Sequence, residues 1–431
     1  MTLLRDAAIS IPLRYRERSR TENLTLHVIF LRGCESKATL LNGSYGWKTM
    51  KVLVVFGTRP EAIKMMPVVR ALRAQPTVDV EVCVTAQHRQ MLDQVLRLFD
   101  LVPEHDLDVM TTAQGLTGVT CAVLKGMEEV LLRSRPDRVL VHGDTTTTLA
   151  TSLACYYQRI PVGHVEAGLR SGNPYQPWPE ENNRRVTDVI ADLMFAPTAS
   201  ARANLTAEGV PNSRIFVTGN TVIDALLATL ETIDKTPERQ ATLAAQLSFL
   251  HPRLPILLVT GHRRENFGQP FRDLCSAIAE LARTHELQVV YPVHLNPNVQ
   301  APVHEILGQS ERVHLIQPLD YLPFIELMRR SHVILTDSGG IQEEAPSLGK
   351  PVFVMRNVTE RPEAVEAGVV RLVGTDRERI VGEVSAVLTS PERYRSMSRR
   401  SNPYGDGKAA ERIAAAVVGK EFRPWGVKHE P

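Results

Sequence analysis

From Met50 onward the chain alternates short runs of aliphatic and β-branched residues with longer stretches whose apolar positions recur every three or four residues. The short runs predict strands at Lys51–Phe56, Val80–Thr85, Arg138–His142, Val162–Val165, Phe195–Pro197 and Ile215–Gly219. Between them, Glu61–Arg73 and Thr146–Gln158 carry the helical period. A mostly helical stretch, Thr221–Leu250, leads into a second series with strands expected at Ile256–Thr260, Gln288–Tyr291, Val313–Ile316, Val333–Thr336 and Val352–Met355. Strands alternating with helices make parallel sheets, so the expected class is α/β, with two Rossmann-like doubly wound domains facing a cleft.

The expected division is a poorly ordered extension over residues 1–49, a first Rossmann-like domain over 50–220, a second, nucleotide-binding one over 221–395, and a C-terminal helix and tail over 396–431 that returns to the first domain. Residues 1–49 are Arg-rich, show no sustained period and lack the apolar core of a secretory signal, which makes Met50 the expected functional start. A length of 431 residues suits two cores better than one. With 43% hydrophobic residues and no apolar run long enough to span a bilayer, a soluble protein is expected. Lys and Arg number 50 against 48 Asp and Glu, so neither nucleic acid nor a membrane is indicated as partner. The five cysteines fall at wide, irregular spacings, which points to a reducing compartment and to no zinc site.

In open α/β sheets a ligand sits beyond the carboxyl ends of the strands, which directs attention to the residues just after each strand. Arg59, in Gly57-Thr58-Arg59-Pro60-Glu61, stands at a helix start and suits an anion, and Lys64, about 1.4 turns on, offers a second cation. Asp337-Ser338-Gly339-Gly340 opens another helix, where Ser338, Gly339 and Gly340 let backbone amides approach a diphosphate. Glu344, one turn further, is placed to bind ribose hydroxyls. Asp144 and Glu166 each follow a strand, and Pro179-Glu180-Glu181-Asn182 adds a third acidic segment. Gly261-His262-Arg263-Arg264 is an anion-facing loop, His294 follows its own strand, and Phe324 is placed to stack on a base. Asp106-Leu107-Asp108 imitates a metal-binding pattern but reads as a solvated loop, and neither a G-x-G-x-x-G nor a P-loop follows any strand.

Nine strings in order, FGTRPEAIKM, TAQHRQMLDQVL, HGDTTTT, HVEAGLR, PWPEE, TGHRREN, YPVHLNP, TDSGGIQEEAPSLGKPV and RPEAVEAG, resemble the non-hydrolysing UDP-N-acetylglucosamine 2-epimerases of bacterial surface-polysaccharide pathways, from Met50 to about Ile413. The resemblance implies a fold like that of B-type glycosyltransferases, a cytoplasmic homodimer, and neither metal nor nicotinamide cofactor. It places Arg59 on the substrate beside Asp144 and Glu166, with Glu180 and His262 completing the group around the sugar. It also assigns Ser338, Gly339, Gly340 and Arg361 to the phosphates, Glu344 to the ribose and Phe324 to the uracil. Gln87, His88, Arg89 and Gln90, with Arg263 and His294, resemble an allosteric site for a second UDP-N-acetylglucosamine. The implied reaction exchanges UDP-N-acetylglucosamine and UDP-N-acetylmannosamine by eliminating UDP to 2-acetamidoglucal and adding it back. A B-type glycosyltransferase and a hydrolysing epimerase are the competing readings.

Overall fold

The structure is a computed structural model that describes residues 9–13, 24–28, 49–86, 89–110, 114–359, 361–399 and 402–426. Within the N-terminal unit, Met1–Trp47, strands β1 (Ile9–Leu13) and β2 (Leu24–Val28) pair antiparallel, where the sequence showed no sustained period. Five residues per strand are too few for their alternation to stand out.

The second unit, Lys48–Pro431, holds two parallel sheets. The first runs through β3 (Met50–Phe56), α1 (Arg59–Arg73), β4 (Val78–Val84), α2 (Arg89–Leu98), β5 (His105–Asp106), α3 (Leu116–Ser134), β6 (Arg138–His142), α4 (Thr146–Gln158), β7 (Val162–Val165), α5 (Glu180–Ile190), β8 (Leu193–Ala196), α6 (Ala199–Ala207) and β9 (Ile215–Val217). Helices α7 (Thr221–Lys235) and α8 (Pro237–Gln246) follow, Pro237 dividing what the sequence read as one helical stretch. The second sheet runs through β10 (Ile256–Thr260), α9 (Gln269–Thr284), β11 (Gln288–Pro292), α10 (Pro297–Leu307), β12 (Val313–Ile316), α11 (Tyr321–Arg330), β13 (Val333–Thr336), α12 (Gly339–Glu344), β14 (Val352–Val354), α13 (Pro362–Glu366) and β15 (Val370–Leu372). Helices α14 (Arg377–Leu388), α15 (Pro391–Met397) and α16 (Ala409–Val417) end the described chain. The architecture is the expected two-domain, Rossmann-like α/β fold. The sequence missed β5 and β15, whose two and three residues carry no readable period.

Strand orders are β5-β4-β3-β6-β7-β8-β9 and β12-β11-β10-β13-β14-β15. The direction of winding reverses between β3 and β6 in one sheet and between β10 and β13 in the other. At such a reversal neighbouring loops part and leave a crevice. Both faces of each sheet are covered, which explains the unbroken apolar strands. Val52, Val54 and Phe56 of β3 join the core under α1, whereas Leu53 and Val55 join the one under α3 and α4.

Chain passes between the two sheets twice, at Thr218–Asn220 and again near Asn402–Ala409, and the passages are bonded to each other through Asn220 N to Tyr404 O at 2.6 Å. Helix α16 then lays Ala410, Ile413, Ala414 and Val417 in the same core as α1. Asp224 of α7 accepts the Ala409 and Ala410 amides at its start, at 3.2 and 2.8 Å. Among the described residues no helix is long and apolar enough to cross a membrane.

Candidate functional site

The two crevices open into one cavity of about 560 Å³. On the first-sheet side, Thr58 caps α1 and Glu61 completes the capping box. The Glu61 carboxylate, almost wholly buried, accepts from the amides of Gly57 (3.1 Å) and Thr58 (2.8 Å) with one oxygen. Its other oxygen accepts from the hydroxyls of Thr145 (2.7 Å) and Thr148 (3.3 Å). One side chain thus ties the loop after β3 to the loop after β6. Gly57 is required there, because a Cβ would stand 2.2 Å from Thr85 Oγ1 and 2.3 Å from Thr147 Oγ1.

Asp144 lies in this second loop, with its carboxylate bonded to Arg184 and its carbonyl accepting from Asn183 Nδ2 at 2.9 Å. Both partners belong to α5, so the helix carrying Glu180 is anchored against Asp144. Beneath, fully buried His164 bridges Asp188 Oδ1 (2.6 Å) and the Gly143 carbonyl (2.7 Å). Glu180 does not line the cavity wall, yet its Oε2 is buried with no hydrogen-bond partner. That is the condition of a group awaiting a donor.

Glu166 follows β7 with φ of 67°, a left-handed conformation that a glutamate adopts at a cost of about 1–3 kcal/mol. Its Oε2 receives Lys64 Nζ at 2.5 Å and Asn220 Nδ2 at 2.9 Å, and His142 Nε2 lies 3.5 Å away. Against the burial that would raise it, Lys64 and then His142 hold the Glu166 carboxyl well below its ordinary value. Lys64 therefore faces carboxylates here: its ammonium sits between Glu166 and, at 3.7 Å, Glu343.

On the second-sheet side, buried Asp337 ends β13 and accepts the His262 and Arg263 amides, both at 2.8 Å, so that it shapes the loop after β10. His262, half-exposed, stacks on His294 with ring centroids 5.3 Å apart. Burial and then His262 lower the His294 pKa, Asp337 opposing them. Arg263, His262, Phe324, Ser338, Gly339 and Gly340 line the cavity together with Arg59 and Asp144. Gly339 is pressed by Arg361, whose Nη1 would be 2.6 Å from an added Cβ. Arg361 Nε donates to Glu343 Oε1 at 2.7 Å. Glu344 accepts from the Tyr321 hydroxyl at 3.3 Å, and burial, then the adjacent Glu343 charge, push its carboxyl up to about 8 against Lys64 and Tyr321.

The cavity thus collects Arg59, Lys64, Asp144, Glu166, His262, Phe324, Ser338, Gly339, Gly340, Glu344 and Arg361 from both halves. Of the expected second-ligand residues, Arg263 and His294 flank His262, Gln90 falls on α2, and Gln87 and His88 lie outside the described residues. Arg89 is bonded to Asp106 at 2.5 Å; Asp106 and Asp108 are exposed, as the reading of a solvated loop expects, and the one departure is that Asp106 stands in edge strand β5. Sequence reasoning placed His142 among the groups beyond the strand ends, but gave no role to Glu343, Arg184 or Asn220. Each touches a candidate acid or cation from far along the chain, and none has a local signature.

A protein family described as UDP-N-acetylglucosamine 2-epimerase matches residues 70–418. A UDP-N-acetylglucosamine 2-epimerase of Escherichia coli strain K12 is 60% identical over 369 residues, covering 85% of this chain and 98% of that protein. The crystal structure of a Neisseria meningitidis UDP-GlcNAc 2-epimerase bound to UDP-GlcNAc superposes with a TM-score of 0.82 at 49% identity, covering 86% of this chain and all (100%) of that one. A Methanocaldococcus jannaschii UDP-GlcNAc 2-epimerase in complex with UDP-GlcNAc and UDP gives 0.73 at 34% identity, with coverage of 86% and 100%.

Proposed function

The chain belongs to the UDP-N-acetylglucosamine 2-epimerase family, and from that premise we propose that it interconverts UDP-N-acetylglucosamine and UDP-N-acetylmannosamine by elimination and re-addition of UDP. The hydrogen on carbon 2 is not beside a carbonyl, so a free carbanion there is too high in energy to form. In the elimination, a carboxylate takes that proton, the C–H electron pair becomes the double bond between carbons 1 and 2, and the bond from carbon 1 to oxygen leaves its pair on UDP. Protonation of carbon 2 on the other face, with the UDP oxygen returning to carbon 1, gives the epimer.

The observation that carries the reading is the meeting, in one cavity, of carboxylates from the first sheet with a cationic, amide-rich rim from the second. Asp144, Glu166 and Glu180 are the proton-transfer groups, with His262 beside them. Arg59, Arg361 and the amides of Ser338–Gly340 stabilise the departing diphosphate. Glu344 takes the ribose and Phe324 the uracil. Arg263 and His294, with Gln87 and Gln90, form the regulatory site for a second substrate molecule.

The domain division at 220/221 goes with this reading, supported by the completion of the first sheet at β9, and the return of the C-terminal tail is supported by the seat of α16 against α1; Met397 of α15 lies in the second-sheet core, so the second domain extends past 395 to the end of that helix. So does a homodimer, for which Tyr156 and Tyr157 of α4 and Val186 and Val189 of α5 leave exposed apolar surface. The product serves surface-polysaccharide assembly.

Proton NMR of UDP-N-acetylglucosamine with the enzyme in deuterium oxide tests the chemistry. The expected result is UDP-N-acetylmannosamine carrying deuterium at carbon 2. Product with unlabelled carbon 2 refutes the elimination, and release of free N-acetylmannosamine with UDP identifies the hydrolysing reaction instead.

A further inference from the structure

Lys64 stands between two carboxylates on opposite halves of the cleft, close to Glu166 (2.5 Å) and further from Glu343 (3.7 Å). Glu343 is itself shared. Its Oε1 accepts Arg361 Nε at 2.7 Å, its Oε2 accepts Asn220 Nδ2 at 3.3 Å, and its carbonyl is fixed by Asn402 Nδ2 at 2.6 Å. Asn220 donates to Glu166 with the same nitrogen, at 2.9 Å. The side chains form a continuous row, Arg361–Glu343–Lys64–Glu166, with Asn220 as the brace between the two acids.

Resting on the epimerase reading, we propose that Glu343 is a positioning residue that exchanges Arg361 for Lys64 when a diphosphate binds, and so frees Glu166 to act as a base only while UDP or its sugar is in the cleft. The argument is electrostatic. Arg361 reaches the Gly339 turn, where the diphosphate is held, and a phosphate drawing the guanidinium toward that turn removes the nearest cation from Glu343. The Glu343 side chain is only 2% exposed, and a buried carboxylate without a counter-charge is strongly disfavoured. Lys64 is the next cation within reach. Its movement toward Glu343 leaves Glu166 with Asn220 and His142, and a carboxylate relieved of an ammonium is a stronger base. If UDP left the cleft, Arg361 would return to Glu343 and Lys64 to Glu166. The arrangement therefore keeps the base silent in the empty enzyme, and active while the eliminated UDP is still bound beside the glycal.

Glu343→Gln removes the exchangeable charge and keeps the shape. UDP should then bind roughly threefold tighter by calorimetry or more, because Arg361 is no longer held by an internal competitor. Turnover should fall by about tenfold or more, because nothing draws Lys64 from Glu166. These are opposite directions, whereas damage to the fold weakens both. Glu343→Asp, which keeps the charge, should recover part of the turnover. Unchanged turnover in Glu343→Gln, or UDP binding no tighter than that of the wild type, overturns the proposal. Carbon-13 NMR of the Glu166 carboxyl in the wild type gives an independent reading. Saturating UDP should raise its titration midpoint, and a midpoint unmoved or lowered also overturns the exchange. A wild type that does not epimerise at all refutes the function itself, which separates the two failures.

Discussion

Replacing Glu61 with alanine should be among the most damaging single changes in the first half, though the residue touches neither sugar nor phosphate in the reading above. Its carboxylate serves four donors: the amides of Gly57 and Thr58 and the hydroxyls of Thr145 and Thr148. Thr148 has a single hydroxyl hydrogen, which the nearer His142 carbonyl at 2.5 Å takes in preference to Glu61 at 3.3 Å, so it loses little when Glu61 goes. The two amides are different, because they are buried, can only donate, and among the described residues bond to Glu61 alone. At about 1–3 kcal/mol for each stranded donor, less some relief from no longer burying a carboxylate, the loss should be about 3 kcal/mol. Glu61→Gln keeps an oxygen for the amides and turns its NH₂ toward hydroxyls that can accept, so about 1 kcal/mol is expected. Urea unfolding of the three proteins, with turnover measured well below the transition, is the assay. Turnover should fall more in the alanine variant, since the loops bearing Arg59 and Asp144 lose their common anchor. An alanine variant within about 1 kcal/mol of the wild type, or one equal to Glu61→Gln, refutes the accounting of these bonds.

Asp144→Asn, Glu166→Gln and Glu180→Gln should each lower turnover by about a hundredfold or more with much smaller changes in affinity, as stopped NMR time courses would read. Gly339→Ala should leave the fold intact, since only the flexible end of Arg361 is in the way, but weaken UDP binding by about tenfold in calorimetry. The Glu344 carboxyl is raised from the ordinary 4.5 to about 8, so the folded protein keeps a proton that the unfolded chain has released. Folding stability should therefore fall as the pH rises from about 4.5 through 8, and Glu344→Gln should flatten that part of the urea-midpoint profile.

Much of the site was legible because it obeys a local rule: the ligand-facing residue stands just after a strand at the point where the winding reverses. Arg59, Asp144, His262 and Ser338–Gly340 all satisfy it, and Glu166 directly follows a strand one place beyond the reversal, β7. What stayed hidden is pairing across the chain. Nothing in Gln342-Glu343-Glu344 says that one acid turns to Tyr321 and its neighbour to Arg361 and Lys64. Lys64 was noticed by its helical spacing, but spacing gives only the face on which a side chain stands, not the charge that meets it there. Asp337, read as the head of a glycine turn, proved to be the anchor of the His262 loop, a role visible only once β10 and β13 lie side by side.

The paired passages at Thr218–Asn220 and Asn402–Ala409 behave as a door's two knuckles rather than as a ball and socket. Arg412 holds the Thr218 carbonyl at 3.0 Å, and the Trp425 amide holds that of Val217 at 2.8 Å, so the passages cannot slide past each other. Two knuckles so fixed would leave a movement of the halves only a swing about one line. Asn220 lies on that line, and through it so does the brace between Glu166 and Glu343. Points near a pivot travel least, so a swing of the two leaves would move the backbone that carries the charged row far less than the outer rims. A swing at the lip would therefore not by itself part Lys64 from Glu166, and that exchange is left to the bound diphosphate.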